Sequence, residues 1–193
     1  MTEARPEQHR VTISDPQVMR ALAHPARMAI IEHLSAVEGG ATATECAGVA
    51  GLSPSATSYH LRELAKFGLV REAAGRGDAR ERVWQAVNPS YSVEAGPDAD
   101  PETHAAEAAL IEAHLVRDAQ RVRDWLRRVP DEPREWYESF WFSDSVLLVT
   151  AEELAELNEA VRALTSPYRQ RSRTDPPAGA RKVAVQYRAM PID

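Results

Sequence analysis

LSPSATSYHLRELAKFGLVREAAGRGDARERVWQ, residues 52–85, carries more structural information than any other part of this chain. Ser53 has an N-cap side chain, and Pro54 follows it at the first helical position, where a missing N–H costs nothing. Gly68 comes just after Phe67, where a helix C-terminus belongs. The spacing therefore predicts a helix over Ser53–Phe67. Leu69-Val70-Arg71-Glu72 and Arg82-Val83-Trp84-Gln85 then alternate as strands do, on either side of a tip, Gly75-Arg76-Gly77-Asp78. A helix leading into a hairpin with a basic tip is the expected arrangement.

At about 100° per residue the helix separates its side chains cleanly. Thr57, Leu61 and Leu64 share one face, which must be buried. Ser55, Tyr59, Arg62 and Lys66 share the opposite face, with Ser58 at the border and Ser53 at the cap. All six carry groups that can donate hydrogen bonds to phosphates or base edges. Only Arg62 has the planar fork that suits guanine.

Upstream residues supply further short helices. Asp15-Pro16-Gln17 is a cap-plus-proline start for a helix containing Val18, Met19 and Leu22. Pro25 opens the next, with an apolar stripe of Ala26, Ile30, Ile31 and Leu34. After a loop at Glu38-Gly39-Gly40, Thr44 is expected to cap a helix running to Ala50, and Gly51 makes the turn before Ser53. Two short helices across a glycine turn form a helix-turn-helix whose second member can enter a major groove. With the hairpin, the module reads as a winged helix.

ALAHPARMAIIEHL (residues 21–34) followed by LSPSATSYHLRELAKFGLV (residues 52–70) resembles the ArsR-like winged-helix transcriptional regulators over residues 12–88. The resemblance implies a homodimer on a roughly palindromic operator, with the Ser53–Phe67 helix in the major groove. It implies a repressor, and a wing whose Arg76 and Arg80 reach the backbone or minor groove. Relatives often carry a basic residue where this chain has Tyr59, so base preference does not transfer.

The group's metal-sensing members place a Cys-x-Cys motif in the preceding helix. Here the matching positions hold Thr42 and Thr44, whose hydroxyls do not replace soft thiolates. Cys46 is the single cysteine, which excludes intramolecular disulfides and multi-thiolate sites. Its small-residue surroundings suggest packing. His9, His24, His33, His60, His104 and His114 form no HxxxH or HExxH pair, so no metal is expected. His24, before a proline, is expected to pack or cap, and His60 to make a local hydrogen bond.

The chain has 193 residues and a formal net charge of -6. That sign opposes nucleic acid, yet residues 62–82 hold Arg62, Lys66, Arg71, Arg76, Arg80 and Arg82 against four acids. Such a patch acts locally, within a Debye length. No apolar run approaches a membrane span, and the polar N-terminus is unlike a signal peptide, so a cytoplasmic location is expected.

Residues 1–11 read as a flexible terminus, 12–90 as the DNA-binding domain, 91–101 as a polar, proline-containing linker, and 102–193 as a dimerisation and effector region. The fold class is α+β: the winged domain, a long dimerisation helix, and a small C-terminal α+β unit. The long helix spans Glu102–Arg128. Along it Ala108, Ile111, Leu115, Ala119, Val122, Leu126 and Val129 recur at steps of three or four. Ile111, Leu115, Val122 and Leu126 are the candidate dimer contacts. Residues 135–142 and 146–149 read as one long or two short strands, Thr150-Ala-Glu-Glu153 as a capping box opening a helix, and Val183, Val185 and Tyr187 as a last strand. Trp125, Trp136, Tyr137, Phe140, Trp141 and Phe142 are expected to fill a core; a small-molecule effector pocket, anchored by Arg134, Glu138 or Asp144, is the other reading.

No nucleophile elbow, phosphate-cradling loop or metal-ligand spacing is present, so neither enzyme activity nor a cofactor is expected. The function expected is a DNA-binding homodimeric regulator whose partners are double-stranded DNA and a second copy. The alternative is a winged helix used as a protein-interaction module.

Overall fold

Prolines at the first turn start three of the N-terminal helices: Pro16 in α1 (Pro16–Leu22), Pro25 in α2 (Pro25–Ala36) and Pro54 in α4 (Pro54–Lys66). Each follows a side-chain cap. Asp15, His24 and Ser53 accept the amides of Gln17, Ala26 and Ala56 respectively. This is a computed structural model that describes residues 11–73, 82–88, 91–169, 173 and 175–192. The chain divides into two compact units, Met1–Arg117 and Asp118–Asp193.

In the first unit, β1 (Val11–Ile13) precedes α1 and α2, and β2 (Ala41–Thr42) leads into α3 (Ala43–Ala50). Thr42, not Thr44, caps α3. Its hydroxyl accepts the Glu45 amide at 3.1 Å, and the Glu45 carboxylate returns to the Thr42 amide at 2.7 Å. Both orphan donors of the first turn are thereby satisfied, which Thr44 could not achieve from inside the helix. Gly51 ends α3 at φ +65°, the left-handed turn that separates it from α4.

After α4 come β3 (Val70–Ala73) and β4 (Val83–Ala86), antiparallel, with β2 on the other side of β4. Gly40 lets β2 approach this closely: at φ +83°, a Cβ there would lie 2.3 Å from the Trp84 carbonyl oxygen. The hairpin tip, with Arg76 and Arg80, lies outside the described residues, as does the N-terminal stretch 1–10.

The stretch expected as a linker differs. Residues 91–93 form β5 (Tyr91–Val93), parallel to β1, and the Ala95 amide donates to Glu107 at 2.9 Å. Pairing with β1 satisfies backbone groups that a free linker leaves to water. Asp100 then accepts the Thr103 amide at 2.8 Å at the start of α5 (Pro101–Arg128).

The core joins Met19, Leu22, Ile30, Leu34, Cys46, Leu61, Leu64 and Trp84 with Ala106 and Leu110 of α5. Thr103, Ala106 and Leu110 are the buried face of that helix. The domain boundary therefore falls inside α5, because its first turns complete the winged-helix core. Arg20 pairs with Glu102 at 2.9 Å, and Arg117 pairs with Glu32, holding α5 to α1 and α2.

The second unit contains the end of α5, a 3-10 turn (Val129–Asp131), α6 (Arg134–Glu138), α7 (Ala151–Thr165) and another 3-10 turn (Ser166–Tyr168). The Thr150–Glu153 capping box forms as expected. The strands do not. Residues 136–138 lie in α6, and 139–149 and 183–187 run without strand pairing. The Pro133 carbonyl accepts amides from Trp136 and Tyr137, which starts a helical turn where the aromatic alternation suggests a strand. A strand also needs a neighbour to complete its ladder, and neither segment has one among the described residues. This unit is thus helix and extended chain, not α+β.

Nor do the aromatics form a core. Trp125 and Phe140 rings lie 5.4 Å apart, but Trp141 and Phe142 are 85% and 75% exposed. Arg134 and Glu138 pair with each other at 2.6 Å on exposed α6, and Asp144 is exposed. Among the described residues, no helix is long and apolar enough to cross a membrane.

Candidate nucleic-acid interface

The recognition helix α4 owes its orientation to three buried side chains. Leu61 and Leu64 are fully buried in the core, and Thr57 is buried with its hydroxyl donated to the Ser53 carbonyl at 3.0 Å. Fixing that face turns Ser55, Tyr59, Arg62 and Lys66 outward, and all four are exposed, with Ser58 half-buried at the edge.

These side chains do not act as one patch. Ser55, Ser58 and Arg62 line a single concavity of about 480 Å³ together with Pro54, and its other walls are Ala43 and Thr44 of α3 and Arg82 and Trp84 at the hairpin base. Tyr59 and Lys66 lie outside it. Tyr59 is half exposed and sets its ring edge-on to His60 at 5.4 Å. Lys66 is paired with Glu63 at 2.5 Å, and that hydrogen bond holds the Glu63 carboxyl below the usual carboxylate range.

Charge in the concavity is uneven. Arg82 pairs with Glu72 at 3.1 Å across the β3–β4 base. Among the described residues, no carboxylate lies within ion-pair distance of Arg62. A guanidinium with no described carboxylate at ion-pair distance, flanked by two hydroxyls and the N-terminal turn of α3, suits an anionic, hydrogen-bonding surface such as a duplex edge. Ser53 keeps its hydroxyl proton available, because the cap uses the oxygen as acceptor.

Two contributors were not visible as site residues in sequence. Thr44 and Trp84 enter because α3 and β4 converge on the start of α4. The signal for Thr44 was its place in the first turn of the helix before the recognition helix; nothing local marked Trp84, which is largely buried. Arg76 and Arg80 lie outside the described residues.

Burial, with help from the Glu45 carboxylate, pushes the Cys46 thiol up to about 11, so it is a buried thiol and not a reactive thiolate. His24 caps α2 through Nδ1 at 3.2 Å. His60 departs from the hydrogen bond expected of it: its Nδ1 is buried without a partner. Among the described residues, no cluster of three His, Cys, Asp or Glu side chains is placed to hold a metal ion.

The Helix-turn-helix domain family matches residues 22–73. The chain carries a winged helix-turn-helix domain. The match spans α2 to β3, and with the fold it supports a DNA-binding transcription regulator, without singling out the ArsR-like group. No curated protein matches the sequence. Among solved structures, a mutant of ZitR from Lactococcus lactis is 15% identical over 74% of this chain and 73% of its own, with a TM-score of 0.32. A MarR family transcription regulator is 18% identical over 82% and 80%, at 0.33. A MarR family protein of Mycobacterium tuberculosis, in complex with salicylic acid, is 19% identical over 78% and 87%, at 0.30. Overlaps this loose bear on neither fold nor function.

Proposed function

We propose that this protein is a homodimeric, sequence-specific DNA-binding repressor of the cytoplasm, without catalytic activity. The observation that carries the reading is the concavity where Ser55, Ser58 and Arg62 meet; among the described residues no carboxylate is within ion-pair distance of Arg62, although its charge is felt by the neighbouring Glu63. Each α4 enters a major groove, where Arg62 reads a base edge and Ser53, Ser55, Ser58, Tyr59 and Lys66 set the register on phosphates. Arg76 and Arg80 of the wing add sequence-independent backbone contact. Repression is steric: two recognition helices occupy successive major grooves and block the promoter.

The second copy is supported by α5. Its buried face is Thr103, Ala106 and Leu110, while Ile111, Leu115 and Leu126 on another side are 48%, 36% and 58% exposed. Val122 is half-buried on the same stripe. One helix thus has one apolar face satisfied and a second without cover, as a dimer seam requires. Selection of bound sequences from random duplexes tests the reading. It should return a two-fold symmetric motif with half-sites about one helical turn apart. No enrichment would support the protein-interaction alternative instead.

A further inference from the structure

No described residue between 118 and 192 is buried. A unit of this length ordinarily buries well over half of the surface its chain exposes. Two extended segments account for much of the deficit. In the first, Val146-Leu147-Leu148-Val149 is apolar at every position, with Val146 79% and Leu148 103% exposed. Continuous apolar character belongs to a strand covered on both faces. In the second, Val183, Val185 and Tyr187 alternate with Ala184 and Gln186, the pattern of a strand covered on one face. Among the described residues, 141–149 and 181–192 make no backbone hydrogen bonds to any other part of the chain.

These two stretches do not pair with each other in one chain. The second is held elsewhere: Arg181 grips Glu132 through two hydrogen bonds of 2.6 and 3.0 Å and lies 4.6 Å from the Trp136 ring centre, and Arg188 pairs with Asp118. Their charges are opposite. The arm carries Arg181, Lys182 and Arg188 with no acid between them, whereas residues 131–144 carry Asp131, Glu132, Glu135, Glu138 and Asp144 against Arg134. Arg181 and Arg188 spend their charge within the chain, so what the two segments offer a second copy is their uncovered backbone and apolar side chains. Val122 and Leu126 of the uncovered α5 stripe belong to the same unit.

We infer that residues 183–187 of one copy add as a strand to residues 146–149 of a second copy, and reciprocally, so that two intermolecular ladders form per dimer. The inference rests on the homodimer reading above. A two-fold operation makes both ladders at once. It also closes the exposed edges, which an unrelated single partner would cover on one chain only.

The test uses the full chain with Cys46→Ala, in two differently tagged populations, one carrying Leu148→Cys and the other Val185→Cys. After mixing and exchange of subunits, a short bismaleimide that tolerates one step of register should link the two tags covalently. Hydrogen exchange on the unmodified protein is the second measurement, and amides of 146–149 and 183–187 should be protected in the dimer. A dimer whose amides exchange freely and whose tags never link overturns the strand pairing and leaves the homodimer reading standing. Linkage only between two copies that carry the same substitution overturns it equally. A chain that sediments as a monomer at every concentration overturns both.

Discussion

The imidazole of His60 lies against that of His24, ring centres 4.7 Å apart and tilted by 44°. This contact ties the recognition helix to the turn that opens α2. Burial, then the neighbouring His24 and Arg27, hold the His60 ring below its ordinary pKa, against an opposing pull from Glu63. The neutral ring is therefore the form the fold prefers. In the unfolded chain His60 takes up a proton near its ordinary value, about 6.5. Its stabilising effect is complete above that value and is lost as pH falls through it toward the depressed folded pKa. Thermal unfolding should show a lower midpoint at pH about 5.5 than at about 7.5, and His60→Gln should shrink the difference. An unchanged difference in the variant would remove His60 as the cause.

Gly40 and Gly48 should respond to alanine in opposite directions. Gly40→Ala places a methyl group against the Trp84 carbonyl at positive φ, and should cost about 1–3 kcal/mol in denaturant unfolding. Gly48 is exposed in α3 with nothing within 4 Å, so Gly48→Ala should stabilise by about 0.5–1 kcal/mol. Equal effects at the two sites would mean that the β2–β4 approach is not as close as described.

Leu126→Asp should weaken the dimer by about tenfold or more, roughly 1.4 kcal/mol, measured by sedimentation equilibrium. Val116→Asp is the internal control, since Val116 is 60% exposed on α5 away from the stripe and from the buried face. Matching losses in both variants would show that α5 does not discriminate between its sides.

Cys46 should resist alkylation in the folded protein. With its thiol pushed up to about 11, almost none of it is thiolate near neutral pH. Iodoacetamide should modify it only after denaturation. Rapid modification of the native protein would contradict its place in the core.

What could be read from sequence was local. Ser53-Pro54, Asp15-Pro16 and the Thr150–Glu153 box place caps within a few residues, and each formed where expected. Thr42 and Thr44 both stand at the start of α3, and only the Glu three residues after Thr42 tells them apart; distance from Gly51 does not. The docking face of α5 was hidden because Thr103 and Ala106 are small, while the conspicuous Ile111 and Leu115 point away from the core. Alternation at 183–187 marks extended chain but says nothing of a partner, and the strands expected in the second unit are unpaired among the described residues. In the site, helical periodicity placed Ser55, Ser58 and Arg62 on the exposed side. Arg82 and Trp84 joined them only through the pairing of β4 with β2 and β3, a long-range event.

Equilibrium binding of the wild type and Arg62→Ala, each to the selected site and to a scrambled duplex at two salt concentrations, tests the central claim most directly. Loss of about 1–3 kcal/mol on the selected site, confined to one base position and nearly absent on the scrambled duplex, is the expected result. The salt slope should be set by the cations placed on phosphates, Lys66, Arg76 and Arg80 of each copy, and should change little in Arg62→Ala. Equal losses on both duplexes would show that Arg62 reads no base, and would contradict the placement of α4 in the major groove.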